Sequence, residues 1–193
     1  MKNLTTSDRT ALIRLAASLP VGDKDRRTIL AGLINGPTDF SVYNASESDF
    51  EAVRNRVRAA LQDALPHFPP QSAVYVEEWK NVESAHFDNP NMEFFARIKI
   101  PEYGNAANIT VTVRAAPFKD KRYFAPKYAG WALTTGLYAI DDYKVWKTLA
   151  RFLKPQKRGE YSPFAKVDSP DALTPKIDAF QAALVAAAKS VGK

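Results

Sequence analysis

The sequence predicts an α+β fold: an antiparallel sheet of about four strands with helices packed on one face, led by an N-terminal helical hairpin. Three observations carry this expectation. Apolar residues recur at helical spacing in the first third and near the end of the chain. Between those regions the period switches to two, in consecutive segments with connections that suit an antiparallel meander. The 193 residues, 46% hydrophobic, are enough to bury a real core without disulfides or metals.

Taken in order, Ser7 is the expected N-cap of a first helix whose Leu12, Leu15, Ala16 and Leu19 share a stripe that Pro20 ends. Asp23 caps a second helix, with Ile29, Leu30, Leu33 and Ile34 on one face and Gly36-Pro37 closing it. Both helices are too short to persist alone, so this hairpin (residues 1–37) must pack on something. Residues 38–193 are expected to form a single α+β domain. Ser46 with Asp49 has the form of a capping box, and Phe50, Val53, Val57, Leu61 and Leu65 follow every three or four residues. Pro66, Pro69 and Pro70 end that helix.

Residues 72–79 form the first expected strand. Over residues 91–100, Phe94, Ala96, Ile98 and Ile100 alternate with Glu93, Phe95, Arg97 and Lys99, and Ile109, Val111 and Val113 alternate in the same way over 108–115. A fourth strand is expected over 128–138, where Trp131, Leu133, Thr135 and Leu137 share a face. A helix capped by Asp141 or Asp142 then runs to about residue 153. A Pro-, Ser- and Gly-containing loop is expected over 155–173, followed by a last helix opened by Thr174-Pro175, with Gly192 in a C-cap position.

Several chemistries are excluded early. With no cysteine there is no disulfide, thiolate metal site, iron–sulfur cluster or cysteine nucleophile. With two histidines, His67 and His86, no multi-histidine metal centre can be built. No nucleophile elbow, P-loop, dinucleotide-binding fingerprint or zinc-protease motif occurs. Glu77-Glu78 and Asp141-Asp142 are paired carboxylates, but strand neighbours point to opposite faces and the second pair fits helix capping. No catalytic residue, cofactor or metal is therefore expected. The polar first ten residues lack signal-peptide order and no apolar run is long enough to span a membrane, so a soluble, cytoplasmic or virion-associated protein is expected.

The charge is unevenly placed. The net charge is +6, yet residues 114–158 hold eleven basic and three acidic residues, and the rest of the chain is slightly acidic. Such a local excess is what a polyanion-binding surface requires, because each neutralised phosphate releases counterions. At 100° per residue, Lys144, Lys147, Arg151 and Lys154 fall within about 80° of one helix face, opposite Val145, Trp146, Leu149, Phe152 and Leu153. Lys157 and Arg158 extend the charge into the next loop. A second basic stretch, with Lys119, Lys121, Arg122 and Lys127, interleaves Phe118, Tyr123, Phe124 and Tyr128, a composition that suits single-stranded nucleic acid or a hairpin loop folded onto the core. The face with Phe95, Arg97, Lys99, Thr110, Thr112 and Arg114 lacks the signature of an RNA-recognition sheet, so no RNA platform is expected there.

One resemblance involves residues 7–34. The run from Arg9 through Ala11, Leu12, Ile13, Arg14, Leu15 and Ala16 to Leu19-Pro20, followed by Arg26, Arg27, Thr28, Ile29 and Leu30, resembles a short N-terminal helical motif of uncharacterised prokaryotic and bacteriophage-type proteins. The resemblance implies a docking or assembly tag. The function expected is a non-catalytic binding or assembly module, of a phage-type virion or its assembly, with a basic surface for an anionic partner. Its protein partner would be an assembly component or a second copy of the chain. The alternative is a nucleic-acid-binding protein using the same helix and loop.

Overall fold

The computed structural model describes residues 4–20, 22–34, 40–84, 87–116, 130–153 and 162–191. In chain order the elements are α1 (Thr6–Ser18), α2 (Lys24–Ile34), α3 (Glu47–Ala64), β1 (Ala73–Val76), β2 (Lys80–Ser84), β3 (Phe87–Lys99), β4 (Asn108–Ala115), β5 (Trp131–Tyr138), α4 (Tyr143–Leu153), β6 (Ser162–Val167) and α5 (Pro170–Val191). Short 3-10 turns lie at Phe40–Tyr43, Leu65–His67 and Pro101–Tyr103. The sheet runs β1-β3-β4-β5-β6, all antiparallel, and β2 follows β1 along the same free edge of β3.

The α+β class stands, with six strands among the described residues in place of about four. Of the two additional strands, β2 follows the expected 72–79 segment and β6 is an omission. The strand expected over 72–79 ends at Val76, and β2 begins beyond it at Lys80: Val76 pairs with Ala96 and Lys80 with Glu93, so three residues face two and the edge bulges. The bulge has a physical cause in the residues Glu77-Glu78-Trp79. Strict alternation from Val74 and Val76 would turn Glu78 inward. The extra residue leaves Glu78 outside, paired with Arg54, and sends Trp79 into the core. There its Nε1 donates to the Phe50 carbonyl at 2.8 Å, and its ring meets Phe50 and Phe94 at 4.7 and 4.5 Å.

The omitted strand, β6, lies within the expected 155–173 loop and pairs with β5 through a bulge beside Leu133 and Thr134. α5 begins earlier than expected. Ser169 accepts the Ala172 N–H at 3.2 Å with Pro170 in the first helical position, and Pro175 is carried inside the helix. At α1 the cap is Thr5, not Ser7, in a reciprocal box with Asp8.

Other local expectations hold. Asp23 accepts the N–H groups of Asp25 and Arg26, and Ser46 and Asp49 form the capping box of α3. All five helices contribute to one buried cluster, among them Ile13, Leu33, Phe50, Leu149 and Phe180. It takes one parity of the sheet: Phe94, Ala96 and Ile98 of β3, Ile109, Val111 and Val113 of β4, and Trp131, Leu133 and Leu137 of β5. Among the described residues of β3, β4 and β5 none of the opposite parity belongs to it, whereas the bulged β6 brings in Ala165 and packs its neighbour Phe164 against it. The sheet therefore has a helix-covered face and a second face, which carries Glu93, Arg97, Lys99 and Arg114 around the buried Thr110 and Thr112.

Candidate functional site

α4 is the best-formed part of the expected basic surface. Asp142 caps it, accepting the N–H groups of Lys144 and Val145 at 2.7 and 3.2 Å. At the other end the buried Thr135 hydroxyl of β5 donates to the Leu153 carbonyl at 2.8 Å, satisfying a last-turn acceptor that lacks a partner within the helix. Leu149 and Leu153 are fully buried, which fixes the rotation of the helix and leaves Lys144, Lys147 and Arg151 exposed. None of these three cations has an acidic partner within 4.0 Å among the described residues. Tyr143, 63% exposed, stacks on Trp146 at 6.0 Å beside the ridge.

Lys144, Lys147 and Arg151 are thus brought together on one face. Lys154, Lys157 and Arg158, and the second basic stretch with Lys119, Lys121, Arg122 and Lys127, lie outside the described residues.

The remaining candidates for chemistry are occupied by structural work. Glu77 holds Lys80 at 3.0 Å, and that ion pair raises the Lys80 ammonium above its ordinary value. Glu78 is paired with Arg54, which also lies 3.2 Å from Glu51. A groove of about 230 Å³ between α3 and β1 is lined by Arg54, Arg58 and Glu78, so much of its positive charge is cancelled internally. Asp142 is a helix cap, and the Asp141 N–H donates to the Tyr103 carbonyl at 2.9 Å. His67 is exposed on a 3-10 turn, and His86 lies outside the described residues. No group of three or more His, Asp or Glu side chains that could hold a metal ion occurs among the described residues. No helix among them is long and apolar enough to cross a membrane.

The second sheet face corrects one grouping of residues. Arg114 does not stand free beside Arg97 and Lys99; its guanidinium is bound to Glu93, directly across from it in register, with Nε to Oε2 at 2.7 Å. Thr110 and Thr112 are nearly fully buried. Sequence reading had no access to three further residues on or beside this face. Tyr75 is 48% exposed on β1 and carries the Arg97 guanidinium 5.3 Å from its ring centre, while Asn105 and Asn108 flank Lys99. The only available signal was the alternation of Tyr75 with Val74 and Val76.

Comparison with known proteins gives no match to a family model, a curated protein or a solved structure.

Proposed function

We propose that the protein is a non-catalytic binding module that uses the α4 ridge to dock on an anionic partner, an assembly component in the leading reading. The observation that carries it is the trio Lys144, Lys147 and Arg151. These are three exposed cations without an acidic partner among the described residues, on a helix held at both ends and along its apolar face. Like charges gathered on a rigid surface repel one another, and beyond the placement of Arg151 in the last turn and over the Phe152 ring they form no ion pair among the described residues, so their natural counterpart is a surface of opposite sign. The phage-type context rests on the resemblance of residues 7–34 alone.

The exposed Tyr143 ring, stacked on Trp146 beside the ridge, favours nucleic acid as the second reading, since aromatic rings beside cations accept stacked bases. Fluorescence anisotropy with duplex DNA, single-stranded DNA and RNA across a salt series tests both readings, with Lys144→Glu/Lys147→Glu/Arg151→Glu as the control. Nucleic-acid binding by three duplex phosphate contacts gives a log–log salt slope near −2.7 that the control abolishes. Absence of nucleic-acid binding, with a self-assembly or partner complex that the same substitutions dissociate in light scattering, supports the assembly reading. If the substitutions change neither, the ridge is only a solvated helix face and both readings fall.

A further inference from the structure

On the face turned away from the helices, β3 places Arg97 and Lys99 two residues apart, pointing the same way and separated by about 7 Å along the strand. Both are exposed, and neither has an acidic partner within 4.0 Å among the described residues. Lys99 lies directly opposite Asn108 of β4. With the turn residues Asn105 and Ala106 these side chains bound a half-open depression of about 220 Å³. Its polar groups are mostly donors still available. The Asn105 amide has no partner among the described residues, and Asn108 Nδ2 donates to the Ala106 carbonyl at 2.7 Å while keeping a second hydrogen. The nearby carboxylates do not line it: Glu102 accepts the Gln71 N–H, and Asp141 lies against Gly104.

We propose that this depression binds the phosphate of a nucleoside phosphate through Arg97 and Lys99, with the half-exposed Tyr75 ring, one face of which Arg97 covers, as the surface against which the base stacks. The volume sets the size of the group held, and the ring beside it favours a nucleotide over a bare anion. The volume falls short of the roughly 300 Å³ at which pockets begin to enclose a whole drug-sized ligand, so it takes a phosphate and leaves the attached group outside. Immediately outside stands Tyr75, half exposed and already paired in cation–π geometry with the residue that forms the wall. Bifunctional recognition of this kind, cations for phosphate and a ring for the base, serves a free nucleotide and a nucleotide unit of a single strand alike. The site lies on the opposite side of the sheet from α4, so it stands or falls independently of the ridge.

The test is binding of the full chain to adenosine monophosphate, inorganic phosphate and an oligothymidylate of about 15 nucleotides, the last measured across a salt series. Arg97→Ala/Lys99→Ala is expected to weaken the nucleotide and the oligonucleotide about tenfold and to flatten the oligonucleotide's salt slope by about 1.4, two single-strand phosphate contacts. Tyr75→Leu is expected to weaken both about fivefold or more and leave inorganic phosphate unchanged, with Tyr75→Phe restoring binding. Reversal of the α4 ridge leaves nucleotide binding intact. An oligonucleotide much tighter than the nucleotide assigns the site to single strands; equal affinities assign it to the free nucleotide. Lys99→Ala alone, at an exposed position without an acidic partner, serves where the double substitution disturbs the fold. Absence of binding by both nucleotide probes at low salt overturns the proposal, as does indifference to the Arg97 and Lys99 changes or to Tyr75→Leu.

Discussion

The two basic regions of this molecule differ in the way that separates a charged surface from a shaped one. On α4, Lys144, Lys147 and Arg151 project from the convex side of a helix, with the apolar face turned into the core. On β3, Arg97 and Lys99 are fewer, but they stand beside amide groups, a turn and an exposed ring that together make a concavity. Convex cations bind by counterion release and discriminate little, whereas a recessed pair with fixed neighbours can select for shape. Total charge along the sequence points to the first region and passes over the second, because Arg97 and Lys99 lie outside the basic quarter of the chain.

The largest expected effect that separates the regions comes from Leu149→Ala. Leu149 is fully buried under α4, and truncation is expected to cost about 2–5 kcal/mol of stability in urea titration. Loosening the helix weakens partner binding at the ridge, while nucleotide binding at β3 persists wherever the chain remains folded. Charge reversal of Lys144, Lys147 and Arg151 should then remove ridge binding with little change in the unfolding midpoint, since none of the three has an acidic partner to lose among the described residues.

A smaller change acts on the other side. Gly104 sits at φ +144°, where an added Cβ would meet the Ala139 carbonyl oxygen at 2.5 Å. Gly104→Ala is expected to cost about 1–3 kcal/mol and to displace the turn carrying Asn105 and Ala106. Its signature is a loss of nucleotide affinity with ridge binding unchanged.

The smallest effect bears on neither region and serves as their common control. The Ser46 backbone N–H and hydroxyl hold the Asp49 carboxyl below the usual carboxylate range, with the backbone bond the larger influence. The folded state therefore favours the ionised form. The associated stability is fully present above the unfolded value near 3.8 and is lost as pH falls through the lower folded value. In Asp49→Asn this contribution is absent at every pH, so the acid limb of the stability profile becomes shallower below about pH 4 while binding at both regions at neutral pH is unchanged.

What could be read ahead of the fold was decided within a few residues. The capping box of Ser46 and Asp49 spans three positions, and Asp142 reaches N–H groups two and three residues on, so the sequence carries both signals whole. The stripe of α3, the parities of β3, β4 and β5, and the two faces of α4 follow from fixed periods of 3.6 and 2. A local rule failed where two neighbouring sites satisfied it equally: Ser169-Pro170 and Thr174-Pro175 are both good helix starts, and packing of Leu173 into the core extends α5 to the earlier one.

The rest required partners distant in sequence. Nothing within residues 162–167 marks β6, which exists because β5 offers it an edge. The bulge that turns Trp79 inward depends on Phe50 and Phe94 being there to receive it. Arg114 is cancelled by Glu93, and Arg97 is not, solely because the β3–β4 register sets a carboxylate opposite one and Thr110 opposite the other. The sequence by itself determined α3, the faces of β3, β4 and β5, and the basic helix α4, since those follow from bonds and periods of short range. Only the tertiary structure decided which cations are left unpaired and which of them line a concavity, because charge pairing and shape are set by the register between strands.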